Sequence, residues 1–250
     1  MTLTIAAREL RSLFLSPLAW IVLAVTTFIH AWIFLVQVDL WTDQLQPAFA
    51  GQAEAPGVTD MIATPLFGSA AMILLMVVPL LTMRLISEEK RSGSLRLLQS
   101  SPVGSRHVVL GKFLAVGALL AIMVTLVALM PLSLSVGTQL DLGKWAAGAL
   151  GLLLMTGAFA SAGLYFSSLT RQPVVAAIAS FGLLILLWMI DWAADAEAGA
   201  GVVEYLSVIG HFQNMARGQV ATSELAYYGL FMLTFLGLAI HRLDSERLRP

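Results

Sequence analysis

Six long apolar segments follow one another along the chain, each close to the length that an α-helix needs to cross a bilayer. A helix rises about 1.5 Å per residue, so about 20 apolar residues cross a hydrocarbon layer about 30 Å thick. The segments between them are too short for a separate domain. The pattern predicts one all-α integral membrane domain over residues 1–250. The predicted spans are residues 17–36, 66–83, 113–134, 145–169, 174–190 and 225–240.

The composition agrees with lipid as the solvent of these segments. Hydrophobic residues make up 58% of the 250 residues and charged residues only 12%, whereas soluble domains have about 25% charged residues. The absence of cysteine excludes disulfides and thiolate metal sites. The formal net charge of −1 does not indicate a nucleic-acid partner, and we expect none.

The basic residues are sorted between the two sides of the predicted membrane. Of the 14 lysines and arginines, all but Lys144 and Arg217 lie before the first span, after the last span, or in the connections on that same side. Cytoplasmic loops of membrane proteins carry such an excess of lysine and arginine. The pattern therefore predicts that both termini are cytoplasmic.

The segment before the first span, TLTIAARELRSLFL, has apolar and basic residues on opposite faces of a helix. Arg8 and Arg11 lie on the polar face, which suits an interfacial helix whose arginines meet lipid headgroups. A plain cytosolic segment leading into the span is the alternative. The predicted apolar face consists of Leu3, Ala6, Leu10, Leu13 and Phe14.

The two longer loops on the opposite side differ in character. Residues 37–65 contain four acidic residues and no cation, but their spacing is not that of a calcium loop, so we expect no metal there. Residues 191–224 contain the apolar stretch VVEYLSVIGHF, which is too short to span and suits re-entrant or interfacial helices. We expect two short helices there, with a plain surface loop as the alternative.

The predicted spans contain little that could drive chemistry or ion coupling. His30 is the deepest titratable residue, and no Asp, Glu, Lys or Arg lies near the centre of a span. Ion-driven carriers place such groups at mid-membrane, and the chain has neither an HExxH zinc motif nor a GxSxG nucleophile motif. His30 is a candidate pathway residue, the alternative being a hydrogen bond to a neighbouring helix. Energy for uphill movement should come from another protein.

The connection between the second and third spans ends in GSRHVVLGKF, which looks like a phosphate-binding loop. A Walker A motif places four residues between its glycines and a Ser or Thr after the lysine. Here six residues separate Gly104 from Gly111, and Phe113 follows Lys112. The motif is therefore excluded, and Lys112 is predicted to anchor the third span at the inner leaflet.

The same connection predicts a break followed by an exposed cytosolic helix. The second span should continue as a helix through LTMRLISEEKRS and end near Gly93, a glycine suited to a C-terminal cap. Ser94 can cap a further short helix that Pro102 ends. Leu95 and Leu98 fall on one side of that helix, as expected for a helix bound in a groove of a partner.

The run PLLTMRLISEEKRSGSLRLLQSSPVGSRHVVLGKF resembles the signature of ABC transporter permeases of the ABC-2 exporter type. The branch associated with gliding motility and with nitrous-oxide-reductase maturation is the most similar. SPLAWIVLAV, GLYFSSLTRQPVVAAIASF and HFQNMARGQVATSELAYY also resemble that branch, so the resemblance covers nearly the whole chain. Its most specific part is the pattern formed by Glu88, Glu89, Gly93, Ser94, Leu95, Leu98 and Pro102.

The resemblance implies a permease in a bacterial cytoplasmic (inner) membrane. Two such subunits, as a homodimer or a related heterodimer, would bind a dimer of ABC ATPase subunits that carry the ATP and Mg, with no cofactor or catalytic residue on this chain. The interfacial helix and the exposed cytosolic helix would contact the ATPase, and a re-entrant helix pair would precede the last span. Glu88 and Glu89 would pair with basic groups of the ATPase or of the Arg8 and Arg11 helix, or remain solvated.

Three functions fit the sequence. The first is an exporter that moves a substrate across the membrane. The low content of polar groups in the spans would suit a lipid-like substrate. A mechanotransmitting subunit instead drives a periplasmic process, with a possible periplasmic accessory protein, and carries nothing across. A stand-alone channel is disfavoured because the exposed cytosolic helix would then have no purpose.

Overall fold

The computed structural model describes residues 1–49, 56–94, 104–196 and 207–247, without the side chains of residues 191–196. Every regular element in these ranges is helical, which confirms the all-α class. We number the helices α1 (Thr2–Leu15), α2 (Pro17–Leu40), α3 (Gln46–Ala48), α4 (Thr64–Thr82), α5 (Ser87–Ser92), α6 (Ser105–Leu132), α7 (Leu142–Leu169), α8 (Pro173–Ala196), α9 (Val208–Ala216) and α10 (Thr222–Arg247). The π-helical turns Trp41–Leu45 and Thr59–Ala63 adjoin α3 and α4, and the 3-10 turn Ser133–Val136 follows α6.

Six of these helices are long and apolar enough to cross a membrane: α2, α4, α6, α7, α8 and α10. They correspond one to one with the six predicted spans. Several are longer than predicted, since α6 already begins at Ser105 and α10 continues to Arg247. Hydropathy detects the segment that lipid surrounds, whereas a helix continues until a cap or a backbone break ends it.

Six successive crossings place the two ends of the described chain on the same side of the bundle. We call this side, which carries α1 and α5, the α1 end, and the opposite side, which carries α9, the α9 end. The end of α1 shows why the chain turns there. Ser16 has an extended backbone, its hydroxyl accepts a hydrogen bond from the Leu18 amide at 3.3 Å, and Pro17 starts α2.

Helix α7 lies at the centre of the bundle. It packs against α4, α6, α8, α9 and α10, and Leu152, Met155, Phe159 and Leu164 are fully buried along it. The other spans surround α7 and turn large apolar side chains outward, among them Trp32 on α2. The exposed apolar surface of the outer helices fits a lipid environment, as the composition predicts.

The helix predicted to run from the second span to Gly93 is interrupted. Helix α4 ends at Thr82, residues 83–86 form a turn, and α5 begins at Ser87. Gly93 does end α5, with a left-handed φ of 78°, so the predicted glycine cap is confirmed.

The structure describes only part of the regions in which further short helices are predicted. Helix α9 confirms a short helix before the last span, and its apolar face is buried in the bundle, so a plain surface loop is wrong. The second helix predicted within residues 191–224 stays a prediction, because residues 197–206 lie outside the described residues. The predicted helix that carries Leu95, Leu98 and Pro102 also lies outside them.

Candidate functional site

Helix α1 packs closely against the beginning of α6 at Gly111. A Cβ atom on Gly111 would lie 2.7 Å from Ile5 Cγ2 and 3.2 Å from the Thr2 carbonyl oxygen. Those distances are shorter than van der Waals contact, so the approach requires glycine. The glycine of the apparent phosphate loop therefore allows two helices to meet.

The face that α1 buries contains most of the predicted apolar face and extends beyond it. Ala6, Leu10, Leu13 and Phe14 are half-buried, as predicted, whereas Leu3 is 76% exposed. Ile5 and Glu9 are also half-buried, toward α6. Arg8 and Arg11 are exposed, as the amphipathic pattern predicts. The apolar pattern does not predict that Glu9 lies on the half-buried side, because Glu9 is there as a carboxylate partner for a lysine of α6.

Lys112 is the centre of an ion-pair cluster that joins α1, α5 and α6. Its side chain is 1% exposed, and its Nζ lies 2.7 Å from Glu89 Oε1 and 3.3 Å from Glu9 Oε2. A buried ammonium needs such partners because its desolvation costs several kcal/mol. We call Lys112, Glu9 and Glu89 the Lys112 cluster.

This cluster corrects two predictions. Lys112 does not anchor the span at the lipid surface, because its charge is buried between two carboxylates. Glu89 pairs with Lys112 rather than with Arg8 or Arg11, and it reaches α1 only through that lysine. Glu88, in contrast, is exposed on α5.

The break between α4 and α5 is stabilised by one hydroxyl of α7. Ser167 Oγ accepts hydrogen bonds from the amides of Ile86 and Ser87, both at 3.1 Å, and donates one to the Met83 carbonyl at 2.9 Å. These backbone groups lose their helical partners where α4 ends, so Ser167 satisfies them in a buried position. The start of α5 is thereby attached to the central helix.

Lys90 connects α5 to the end of α10. Its Nζ donates to Glu246 Oε1 at 2.7 Å and to the Ser168 carbonyl oxygen, and its side chain is 6% exposed. Arg242 also pairs with Glu246, at 3.2 Å. Adjacent residues of α5, Glu89 and Lys90, thus join it to α6 and α10 respectively, and Lys112 extends the first connection to Glu9 of α1.

The remaining predicted site residues are placed as follows. The hydroxyl of Ser94 lies 2.9 Å from that of Ser92, just past the Gly93 cap. His30 is buried, and its Nδ1 bonds the Thr26 carbonyl of its own helix at 2.5 Å. Its Nε2 has no hydrogen-bond partner among the described residues, so the expected bond to a neighbouring helix is absent there. A pathway role for His30 stays a prediction.

The arrangement is suited to transmitting a displacement. Helix α5 is held on both sides by buried charges, and the segment that follows it leaves at Gly93. In the part of the chain that the structure describes, no three His, Asp or Glu side chains are grouped as metal ligands would be. The sequence pattern did not identify Lys90, Glu246 or Ser167 as site residues. The one local signal was the i, i+4 spacing of Arg242 and Glu246.

Gly111→Ala should loosen α1 without unfolding the bundle. The added methyl group forces Ile5 and the α1 backbone away from α6, at a cost of about 1–3 kcal/mol. Because the chain has no cysteine, a single Leu13→Cys on the half-buried face of α1 can report the displacement through faster maleimide labelling. Gly117→Ala on the same helix is the control, since its Cβ would meet nothing within 4 Å. Equal labelling in both variants would contradict the close approach.

The family comparison covers most of these elements. The model of the ABC-2 family of transporter proteins matches residues 3–217. The match includes the Lys112 cluster and α9, and it ends before α10 begins. No curated protein matches the chain.

Proposed function

Because the chain belongs to the ABC-2 family of transporter proteins, we propose that it is the permease subunit of an ATP-driven exporter. A separate ABC ATPase subunit hydrolyses the ATP and holds its Mg, and this chain converts the resulting movement into substrate movement across the membrane. The observation that carries the proposal is the attachment of α5, which contains Glu88 and Glu89 of the permease signature, to α10 and, through Lys112, to α1. This attachment lies directly before the predicted ATPase-binding helix.

The charge distribution supports a cytoplasmic α1 end. Lys144 and Arg217 are the basic residues of the α9 end in the described part of the chain, and Lys144 is neutralised by Asp60 at 3.1 Å. Positive charge of this kind remains on the cytoplasmic side of a membrane, here the inner membrane of a bacterium. The α1 end exposes Arg8, Arg11, Arg84, Arg91, Arg106, Arg171 and Arg247.

In the proposed mechanism, the ATPase binds the segment after Gly93. Leu95 and Leu98 enter a groove on the ATPase, and closure of the ATPase dimer pulls on α5. Glu89 then transmits the displacement to α1 through Lys112, while Lys90 transmits it to α10. Adjacent buried ion pairs make α5 respond as one unit because separating either pair leaves a buried charge without its partner. A second permease, identical or related, completes the transporter.

A mechanotransmitting subunit is the second candidate. The described spans pack around a continuous apolar core, which transmits force without needing a polar path. Membership of the gliding-motility and nitrous-oxide-reductase branch would favour this role, with a periplasmic accessory protein as the recipient. Stimulation of ATP hydrolysis by a cargo would favour export, and stimulation by a periplasmic protein would favour force transmission.

The proposal predicts different effects for three variants of the α5 region. Leu98→Arg should abolish co-purification of the ATPase because it places a charge in an apolar groove. Glu89→Ala should preserve co-purification but lower permease-dependent ATP hydrolysis about tenfold, since a loss of about 1.4 kcal/mol in coupling corresponds to that factor. Arg91→Ala is the control, because Arg91 is an exposed charged residue of α5 outside the predicted coupling residues.

Co-purification on an affinity-tagged permease and ATP hydrolysis in proteoliposomes measure these outcomes. A Leu98→Arg variant that retains the ATPase at the parent level would remove the docking proposal. Equal rates for the Arg91→Ala and Glu89→Ala variants would show that the Lys112 cluster does not transmit the movement.

A further inference from the structure

Helix α10 makes a polar contact with a buried side chain of another helix at each of its two ends. Glu246, near its C-terminus, pairs with Lys90 of α5 at 2.7 Å. Glu224, near its N-terminus, contacts His211 of α9. At about 1.5 Å per residue these two carboxylates are about 33 Å apart along the helix, which matches a hydrocarbon layer of about 30 Å. One helix therefore connects the α5 attachment to α9.

The contact between α10 and α9 is a small buried network around the Glu224 carboxylate. Its Oε2 accepts a hydrogen bond from His211 Nδ1, and its Oε1 accepts one from Asn214 Nδ2 at 3.2 Å. The Glu224 and His211 side chains are only 8% and 6% exposed. A buried carboxylate that loses its donors is strongly destabilised, so Glu224 holds α9 at a fixed position.

Two further contacts join the first turns of α10 to α9. The Tyr228 hydroxyl donates to the Val208 carbonyl at 2.8 Å, at the first residue of α9. The Tyr227 ring stacks on the His211 ring with centroids 3.9 Å apart. The first turns of α10 and the whole of α9 are thus expected to move together.

Helix α9 is also inserted into the bundle rather than lying across it. Phe212 is 3% exposed, and Met215 is fully buried against α7. Helices α4, α8 and α10 also contact α9. A displacement of α9 along with α10 would therefore open or close the interior of the bundle at the α9 end.

Burial distinguishes α10 from the other helix that joins the two ends. Helix α7 also reaches both α5, through Ser167, and α9, through Met215. However, 61% of the residues in its apolar 18-residue stretch are buried inside the bundle. The corresponding share for α10 is 22%. Helix α10 packs mainly on α7 along one face and exposes much of the remainder, and a helix packed along one face can slide along its neighbour at lower cost than one enclosed on all sides.

We propose that α10 carries the displacement of α5 to α9, with Glu246 and Glu224 as the positioning residues at its two ends. The proposal rests on the proposed function in one respect, namely that an ATPase supplies the displacement. It adds that the α9 end responds to ATP through Lys90 and Glu246, and that α9 follows α10 through Glu224 and His211.

A cysteine reporter on α9 tests the proposal in the assembled complex. The chain is free of cysteine, so Ala216→Cys, at a position that is 5% exposed, can be labelled with a membrane-impermeant maleimide added from the α9 side. We expect a non-hydrolysable ATP analogue to change the labelling rate at least about tenfold, the factor that corresponds to about 1.4 kcal/mol. Glu246→Ala should abolish this response.

The control variants separate a positioning role from general damage. Glu246→Gln keeps an acceptor for Lys90 and should retain part of the response, while Asp244→Ala, a half-exposed neighbour on α10, should retain all of it. Glu224→Ala should make labelling fast with and without nucleotide, because α9 is then released. Size-exclusion profiles of all variants verify that they remain folded.

Co-purification of the ATPase and its hydrolysis rate, measured on the same samples, separate the two proposals. An intact complex that hydrolyses ATP and shows no labelling response in the parent would overturn the role of α10 and leave the permease function standing. A response that survives Glu246→Ala but is lost in Ser167→Ala would assign transmission to α7 instead. Failure of any ATPase to assemble would remove both proposals.

Discussion

Lys112→Met should destabilise the protein by about 2–3 kcal/mol and uncouple α1 from α5. Methionine approximates the volume of the lysine chain but leaves Glu9 and Glu89 without their shared cation. Removing one partner of a buried pair costs about 3–5 kcal/mol. The expected loss lies at or below the lower limit of this range because the side chains of Glu9 and Glu89 are 14% and 21% exposed, so water partly solvates their unpaired charges. A lower midpoint of thermal unfolding in detergent measures the loss.

A comparison of variants separates the charge penalty from the lost connection. Arg106→Met, an exposed cation on the same helix, should change stability by no more than about 0.5 kcal/mol. A triple variant with Lys112→Met, Glu9→Gln and Glu89→Gln should recover more than half of the lost stability, because no buried charge remains unpaired. It should not recover permease-dependent ATP hydrolysis, since α5 and α1 are still disconnected. A Lys112→Met variant as stable as the parent would contradict this account.

The sequence predicted the elements whose causes are local. The six spans follow from the apolar content of each segment, and the end of α5 follows from one glycine, Gly93, in the left-handed region. Helix α9 follows from an apolar stretch too short to span. In each case the residues that determine the structure are neighbours in the chain.

The polar contacts of the candidate site could not be predicted in the same way. Lys90 and Glu246 are 156 positions apart, and Lys112 and Glu89 are 23 apart. Hydrophobic periodicity indicates which side of a helix is apolar, but it does not indicate which other helix a given side chain will contact. Lys112 was therefore assigned to the lipid surface, although its environment is two carboxylates.

The same reasoning explains why α1 buries more than its predicted apolar face. The pattern predicted most of the half-buried side of this helix, but not that α1 also packs on α6 through Ile5 and Glu9. That packing includes the close approach at Gly111, which brings together two segments more than 100 positions apart in the sequence. The amphipathic pattern predicted the helix and most of its buried face, and tertiary packing decided how far that face extends.

Gly163→Ala should have a comparably large effect through backbone packing rather than charge. A Cβ atom at this position of α7 would lie 2.1 Å from Thr82 Oγ1 and 2.8 Å from Thr82 Cβ. Both residues are buried where α7 meets the last turn of α4. The helices must separate to accept the methyl group, which costs about 2–3 kcal/mol as overpacking.

The consequence extends to α5 because Gly163 and Ser167 lie four residues apart on one face of α7. Ser167 holds the backbone of the α4–α5 break through Met83, Ile86 and Ser87. Separating α7 from α4 lengthens these three hydrogen bonds together. Gly163→Ala should therefore lower both the thermal midpoint and permease-dependent ATP hydrolysis.

Two further variants identify the contact as the cause. Thr82→Ala removes the Oγ1 and Cγ2 atoms that meet the new methyl group but keeps Cβ, so adding it to Gly163→Ala should restore only part of the stability. Gly182→Ala on α8, where a Cβ would meet nothing within 4 Å, should be neutral or stabilising by up to about 1 kcal/mol. If the double variant is no more stable than Gly163→Ala alone, the contact with Thr82 is not what limits the substitution. Recovery of stability without recovery of ATP hydrolysis would show that the bonds of Ser167 need the parent spacing of α4 and α7.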